Sequence, residues 1–348
     1  MDREIEAQTR QKKPDPAVAN STRQQRSQAS HPIDWAGYLY ILPAFIILGV
    51  FHIYPVFYAI GISLMTGPVT KFHFVGLQNY TQALANPDFW QALVNTFSFA
   101  LMTIFVALAI GLLFATLLYQ RVRGLAVYRT IFFLPYVLST VGSSMIWAWV
   151  FDPSSGIANQ LFKVLGLGPL RWLIEPVGVF QLAGRSVGLD LPGWLHGPSL
   201  ALVAIAIFTV WQTVGYNIVI FLAGLTNIPG DVNEAARIDG ANGLQLFRYI
   251  TLPLLAPTLF FVLVISIIAS FQSFNQIYAM NTAAAQTLGG PLGTTSTLTV
   301  YMFDQLYSHA NYGYASTIAV LLSLLILGLT LINFRFIGQR AEAWESEA

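Results

Sequence analysis

Six polar side chains stand out because their surroundings are apolar: Gln212, Tyr216 and Asn217 in one hydrophobic run, and Gln272, Asn275 and Gln276 in a later one. Carboxamides donate and accept hydrogen bonds but carry no charge. Their chemistry is recognition rather than reaction. Gln212 and Tyr216 are four apart, and Gln272, Asn275 and Gln276 fall at i, i+3 and i+4, so each set shares a helix face. Phe271 and Phe274 stand among the second set. Amides beside aromatic planes suit the hydroxyls and C–H faces of an uncharged solute such as a sugar. The same groups could instead tie membrane helices together by hydrogen bonds. The sequence leaves both readings open.

No reactive group accompanies them. The chain has no cysteine, which removes disulfides, thiolate metal sites and thiol nucleophiles. It has no G-x-x-x-x-G-K-[ST] loop to cradle phosphates, and spacing singles out no acidic pair or Ser/His/Asp set. His31, His73, His196 and His309 fall in tails or loops and do not cluster, and the lone His52 of the first apolar run reads as a packed or interfacial polar residue. Carriers driven by ion gradients usually hold ionisable groups inside the membrane, and apart from His52 these runs have none. If transport is active, its energy must come from another protein. The net charge of +1 gives no reason to expect nucleic acid.

The elements that hold the six side chains are read from composition. The 348 residues are 55% hydrophobic and 9% charged, against about 25% charged in soluble proteins. An all-α polytopic membrane protein follows. Stretches without Asp, Glu, Lys or Arg long enough to cross a bilayer, about 20 residues, place six helices near 37–65, 91–120, 127–150, 199–225, 254–280 and 313–336. The Gly/Thr/Ala/Gln-rich stretch 281–299 reads as a loop, and 152–198 as an external cap with an amphipathic piece at 157–167. Trp147 and Trp149 read as interfacial belt residues. The polar segment 1–34, with no cleavable apolar stretch after it, reads as a disordered cytoplasmic tail, followed by a transmembrane domain over 35–340 and a cytoplasmic tail at 341–348. With the N-terminus inside, thirteen Lys and Arg fall inside and four, Lys71, Lys163, Arg171 and Arg185, fall outside. Both termini are therefore expected in the cytoplasm of a multi-pass cell (inner) membrane protein.

The sizeable cytoplasmic loop is 226–253. Asp231 and Glu234, three apart, fit a capping box opening a short helix to about Ile238. Gly240 can take a positive φ and turn the chain. A second short helix would carry Leu244, Phe247 and Ile250 on one face. Pro253 suits the first turn of the next span, and Pro257, deeper, would kink it. The product is a small knob that could seat in a soluble partner's cleft, or an ordinary amphipathic loop on the lipid surface.

The run Glu234-Ala-Ala-Arg-Ile-Asp-Gly-Ala241, with Phe247, Ile250, Leu252-Pro253 and Pro257, resembles the cytoplasmic signature of permease subunits of binding-protein-dependent ABC importers. Phe274-Asn-Gln-Ile-Tyr278, Gly289-Gly-Pro291, Leu298, Tyr301 and Tyr312-Gly-Tyr-Ala-Ser316 resemble the carbohydrate branch, similar to the larger partner in maltose, trehalose and glycerol-3-phosphate systems. That branch often has Asp at the place of Asn275 and a shorter stretch before its Gly-Gly-Pro. The resemblance implies a coupling helix docked in a groove of an ATPase subunit. Glu234, Ala235, Ala236, Arg237, Asp239, Gly240, Ala241, Phe247 and Pro253 would form that contact, with Glu234 as its polar group and Gly240 as its turn. It implies as partners a second permease subunit, an ATP-binding cassette ATPase dimer and an extracytoplasmic solute-binding protein, around a chain embedded in the lipid bilayer. It implies no cofactor on this chain, with ATP and Mg on the ATPase, and a sugar or oligosaccharide as cargo. A polyol phosphate or polyamine in the same machinery is the nearer rival, and a passive channel or secondary transporter the more distant one.

Overall fold

The computed structural model describes residues 35–68, 70–120, 123–284 and 287–335. The expected tails at 1–34 and 341–348, and Arg121 and Arg340 of the charge count, lie outside the described residues.

The chain divides into two compact units, Met1–Tyr58 and Ala59–Ala348. The described part of the first is α1 (Trp35–Leu48), a π-helical turn at Gly49–Ile53 and the start of α2 (Tyr54–Ser63). The π turn immediately precedes Pro55: the Tyr54 N–H reaches back to Gly49 O. A proline cannot donate to the helix ladder, and one inserted residue absorbs that gap without ending the helix. His52 sits in this turn and is exposed.

The second unit opens with the two-residue strands β1 (Met65–Thr66) and β2 (His73–Phe74), paired antiparallel, and with α3 (Gln78–Ala85). Then comes α4 (Pro87–Tyr119), 33 residues long. The side chain of Asn86 accepts from the Asp88 N–H at 2.9 Å, and Pro87 fills the first helical position, where its missing donor costs nothing. The next two helices, α5 (Leu125–Val137) and α6 (Thr140–Val150), are bent by 94°, so the expected straight span at 127–150 is two segments. Pro135 and the Ser139 N-cap, which accepts from Gly142 N–H, fix the break.

The expected external cap at 152–198 contains α7 (Ile157–Val164) and α8 (Val179–Ser186). Buried Asn159 holds it together by bonding Pro153 O, Leu170 N–H and O, and Trp172 Nε1. After it, α9 (Leu200–Thr226) is the axis of the core. Leu202, Ile205, Phe208, Ile218, Phe221, Leu222 and Leu225 on this helix are all fully buried. Gly215 allows the α5–α9 crossing: a Cβ there would lie 1.7 Å from Phe132 O.

Beyond the loop helices α10 (Gly230–Ile238), α11 (Gly243–Leu246) and α12 (Leu252–Leu254) comes α13 (Ala256–Phe271). The expected continuous span at 254–280 is not continuous. The chain leaves helix at 272–274 and resumes as α14 (Asn275–Ala284). The expected loop at 281–299 is also revised. Helix runs to Ala284, and α15 (Leu298–Tyr307) begins before that stretch ends. Finally α16 (Tyr312–Asn333) packs on α13 and α15. Among the described residues, four helices are long and apolar enough to cross a membrane alone, and up to six if each of two bent pairs forms one span.

Candidate functional site

A cavity of about 350 Å³ opens where α4, α9 and the two interrupted spans meet, and all six polar side chains predicted for a solute path line it. Gln212 and Tyr216 do so from one face of unbroken α9. Gln272, Asn275 and Gln276 do not share a helix face as expected. Gln272 caps the end of α13, and Asn275 and Gln276 open α14. Polar side chains at a helix break meet backbone groups released from the ladder, which membrane proteins tolerate only where protein or a polar cavity surrounds them.

Three amides in this cavity are nine-tenths or more buried: Gln212 at 6% exposure, Asn217 at 2% and Gln276 at 8%. Gln212 Nε2 donates to Thr140 Oγ1 at 3.1 Å. Asn217 and Gln276 make no side-chain hydrogen bond with any described residue, though both face the cavity. Their amides open onto the cavity, where a bound molecule can bond them. Gly111 brings α4 against Asn217 at the back of the cavity, since a Cβ there would meet Asn217 Cβ at 2.8 Å.

Sequence reasoning missed part of the lining. Thr103 on α4 shares a 3.1 Å hydrogen bond with Ser270. Tyr136 stacks on Tyr216 at 4.8 Å between ring centroids, and Thr140 begins α6. The signal for the last two was Ser139-Thr140 inside an apolar run just after Pro135. Among the described residues, no Asp, Glu, Lys, Arg or His lines the cavity. Trp147, expected at the interface, packs on Phe151, Phe208 and Trp211, whereas Trp149 is 76% exposed.

The second region is the loop 226–253. The expected capping box at Asp231 and Glu234 does not form. The N-cap is Pro229, which puts Asp231 inside the first turn, where a carboxylate favours the helix dipole but cannot cap. A capping box forms one helix later: Asn242 Oδ1 accepts from Gln245 N–H, and Gln245 Oε1 from Asn242 N–H, at 2.9 and 2.8 Å. Between them Gly240 takes φ +83°. Gly240 N–H donates to Arg237 O, and Ala241 N–H to Ala236 O, at 3.1 and 3.0 Å. This pair of bonds ends a helix with a left-handed glycine. No heavy atom lies within 4 Å of a Cβ built at Gly240, so backbone conformation alone demands glycine.

Glu234, Ala235, Arg237 and Asp239 are exposed, and Ala236 is buried. Phe247 is half-buried at the start of a π turn, Phe247–Thr251, that precedes Pro253 as the earlier π turn precedes Pro55. Leu255 is the joint of a 67° bend between Gly243–Leu254 and α13, and Pro257 lies in α13's first turn. Gly224 and Thr258 clamp the loop's two ends: a Cβ on Gly224 would sit 2.5 Å from Thr258 Oγ1. Ile238 and Leu244 are 85% and 76% exposed at its tip.

The family model for the binding-protein-dependent transport system inner membrane component matches residues 92–341. A probable ABC transporter permease protein of Pyrococcus horikoshii is 35% identical over 84% of this chain and 92% of its own length. The trehalose/maltose transport system permease protein of Thermococcus litoralis is 34% identical over 86% of this chain and 92% of its own. A chain from the crystal structure of a bacterial alginate ABC transporter, in complex with an alginate pentasaccharide-bound periplasmic protein, superposes with a TM-score of 0.70. It covers 88% of this chain and 96% of its own at 19% identity, a likeness of fold.

Proposed function

Because the chain belongs to the family of binding-protein-dependent transport system inner membrane components, we propose that it is the permease subunit that passes a neutral, polyhydroxylated solute, a sugar or oligosaccharide, through the cavity between α4, α9 and the broken spans. The observation that carries this reading is the pair Asn217 and Gln276, buried and unpaired at a charge-free cavity. Solute hydroxyls supply what these amides lack, and the rings of Tyr136 and Tyr216 offer flat faces to sugar C–H groups. A phosphate or polyamine cargo fits less well, because nothing charged lines the path. The trehalose/maltose relative supports the same cargo class.

In this reading a second permease subunit completes the path, and an external binding protein delivers the solute. ATP and Mg are held by a separate ATPase dimer. The chain itself performs no chemistry and has its termini in the cytoplasm. The loop 226–253 is the surface that meets the ATPase, supported by its exposed apolar tip and its rigid glycine turn. Glu234 is the polar contact, with Arg237 and Asp239 beside it, and Phe247 and Pro253 root the knob on α13. Closure of the ATPase dimer moves the knob, and the clamp at Gly224 and Thr258 carries that motion into α9 and α13.

The test is ATP-driven uptake of labelled neutral disaccharides by the full complex in proteoliposomes. Uptake should need ATP and fall at least tenfold in Gln276→Leu. Uptake without the ATPase would overturn the importer reading.

A further inference from the structure

A second crevice, about 280 Å³, runs between α4, α13 and α16, away from the solute cavity. Its walls are aliphatic and aromatic, among them Leu101, Phe105, Leu263 and Ile267, and a single polar side chain lines it, Asn333. Asn333 ends α16 and is 6% exposed, and neither Nδ2 nor Oδ1 has a hydrogen-bond partner. An unmet amide is costly in hydrocarbon, where no water can satisfy it. The crevice is open along its length, since Leu101, Phe105 and Ile332 on its rim are more than half exposed.

Shape and depth limit the occupant. A chain of methylenes fits. Arg335, two residues on, is exposed, and a guanidinium marks the level at which a span leaves the hydrocarbon. Asn333 therefore lies just beneath the interface, where lipid esters sit. An apolar run that ends in one amide is complementary to an acyl chain that ends in an ester.

We propose that this crevice binds one acyl chain of a glycerophospholipid, and that the Asn333 side chain turns so that Nδ2 donates to the ester carbonyl. A hydroxylated headgroup then supplies a donor for Oδ1.

The test is native mass spectrometry of the full chain in mild detergent, titrated with phosphatidylglycerol. The wild type should retain one lipid. Asn333→Leu, which keeps the fold by removing an unpaired buried amide, should lower occupancy at half-saturation about fivefold, the worth of one hydrogen bond. Ile267→Trp, which fills the crevice, should abolish retention. No retained lipid in the wild type, or equal retention in both variants, overturns the proposal. So does a crosslink from Asn333→Cys, made in a chain otherwise free of cysteine, to any polypeptide segment.

Discussion

Helix α9 and the loop that follows it differ in what they present to a partner. The helix is buried along most of its length, yet Asn217 faces the cavity with no side-chain hydrogen bond to a described residue. The loop is exposed over most of its length, and its helix ends are closed by a glycine turn and a capping box. Its tip presents apolar groups, Ile238 and Leu244, and within it Asn233 Oδ1 is buried without a partner. An unpaired amide inside calls for a polar guest, and a bare aliphatic tip outside calls for an apolar cleft. The two needs assign different partners to two stretches joined end to end, and Gly224 against Thr258 is the joint between them.

The largest effect should come from breaking the helix side of this contrast. Gly215→Leu drives a side chain into Phe132 O, which already lies 1.7 Å from an added Cβ. Overpacking of this severity costs at least about 3 kcal/mol. Folded protein recovered by size exclusion should fall to a trace, while Gly240→Leu, with open space around it, should be recovered normally.

Gly240→Pro should act on the loop alone. It keeps the cavity and fold, but removes the Gly240 N–H bond to Arg237 O and the left-handed turn. ATP-driven uptake should drop to background while solute binding to the complex persists. Gly240→Ala should cost about 1–2 kcal/mol of local stability and lower uptake only in part. Retained uptake in Gly240→Pro would mean the turn does not position a docking surface.

The sequence predicted some of this and missed the rest for identifiable reasons. Charge-free stretches coincide with the long apolar helices because hydrocarbon penalises charge regardless of packing. Breaks are different. The interruption at 272–274 is stabilised by distant partners, Thr299 Oγ1 donating to Ser273 O at 2.6 Å, and no local pattern announces a bond across 26 residues. The bend between α5 and α6 likewise depends on Gly215, far along the chain. The amides of α9 were legible because an unbroken helix preserves the i, i+4 rule, whereas those near α14 reach the same cavity for a different reason than their spacing suggested. In the loop, the N-cap is Pro229, two residues before the Asp231 expected to cap the helix, and the capping box forms instead at Asn242 and Gln245.

A smaller effect concerns the cap. Asp152 accepts hydrogen bonds from Ser154 and Ser155, and these hold its carboxyl down from 3.8 to about 2. A depressed carboxylate stabilises the fold above its unfolded value and loses that contribution as pH falls through the folded one. The turn at 152–155 should therefore loosen between about pH 4 and pH 2. Limited acid proteolysis should cut there, and Asp152→Asn should remove the pH dependence.

The account rests most directly on the unpaired amides of the cavity. The decisive measurement is ATP-driven uptake of neutral disaccharides by the assembled complex carrying Asn217→Leu or Gln276→Leu, with ATP hydrolysis followed in parallel. Losing a buried hydrogen bond to solute should cut uptake about 10- to 100-fold, with basal hydrolysis unchanged. Wild-type uptake in both variants would contradict the account, because it would leave the buried amides with no part in recognising the solute.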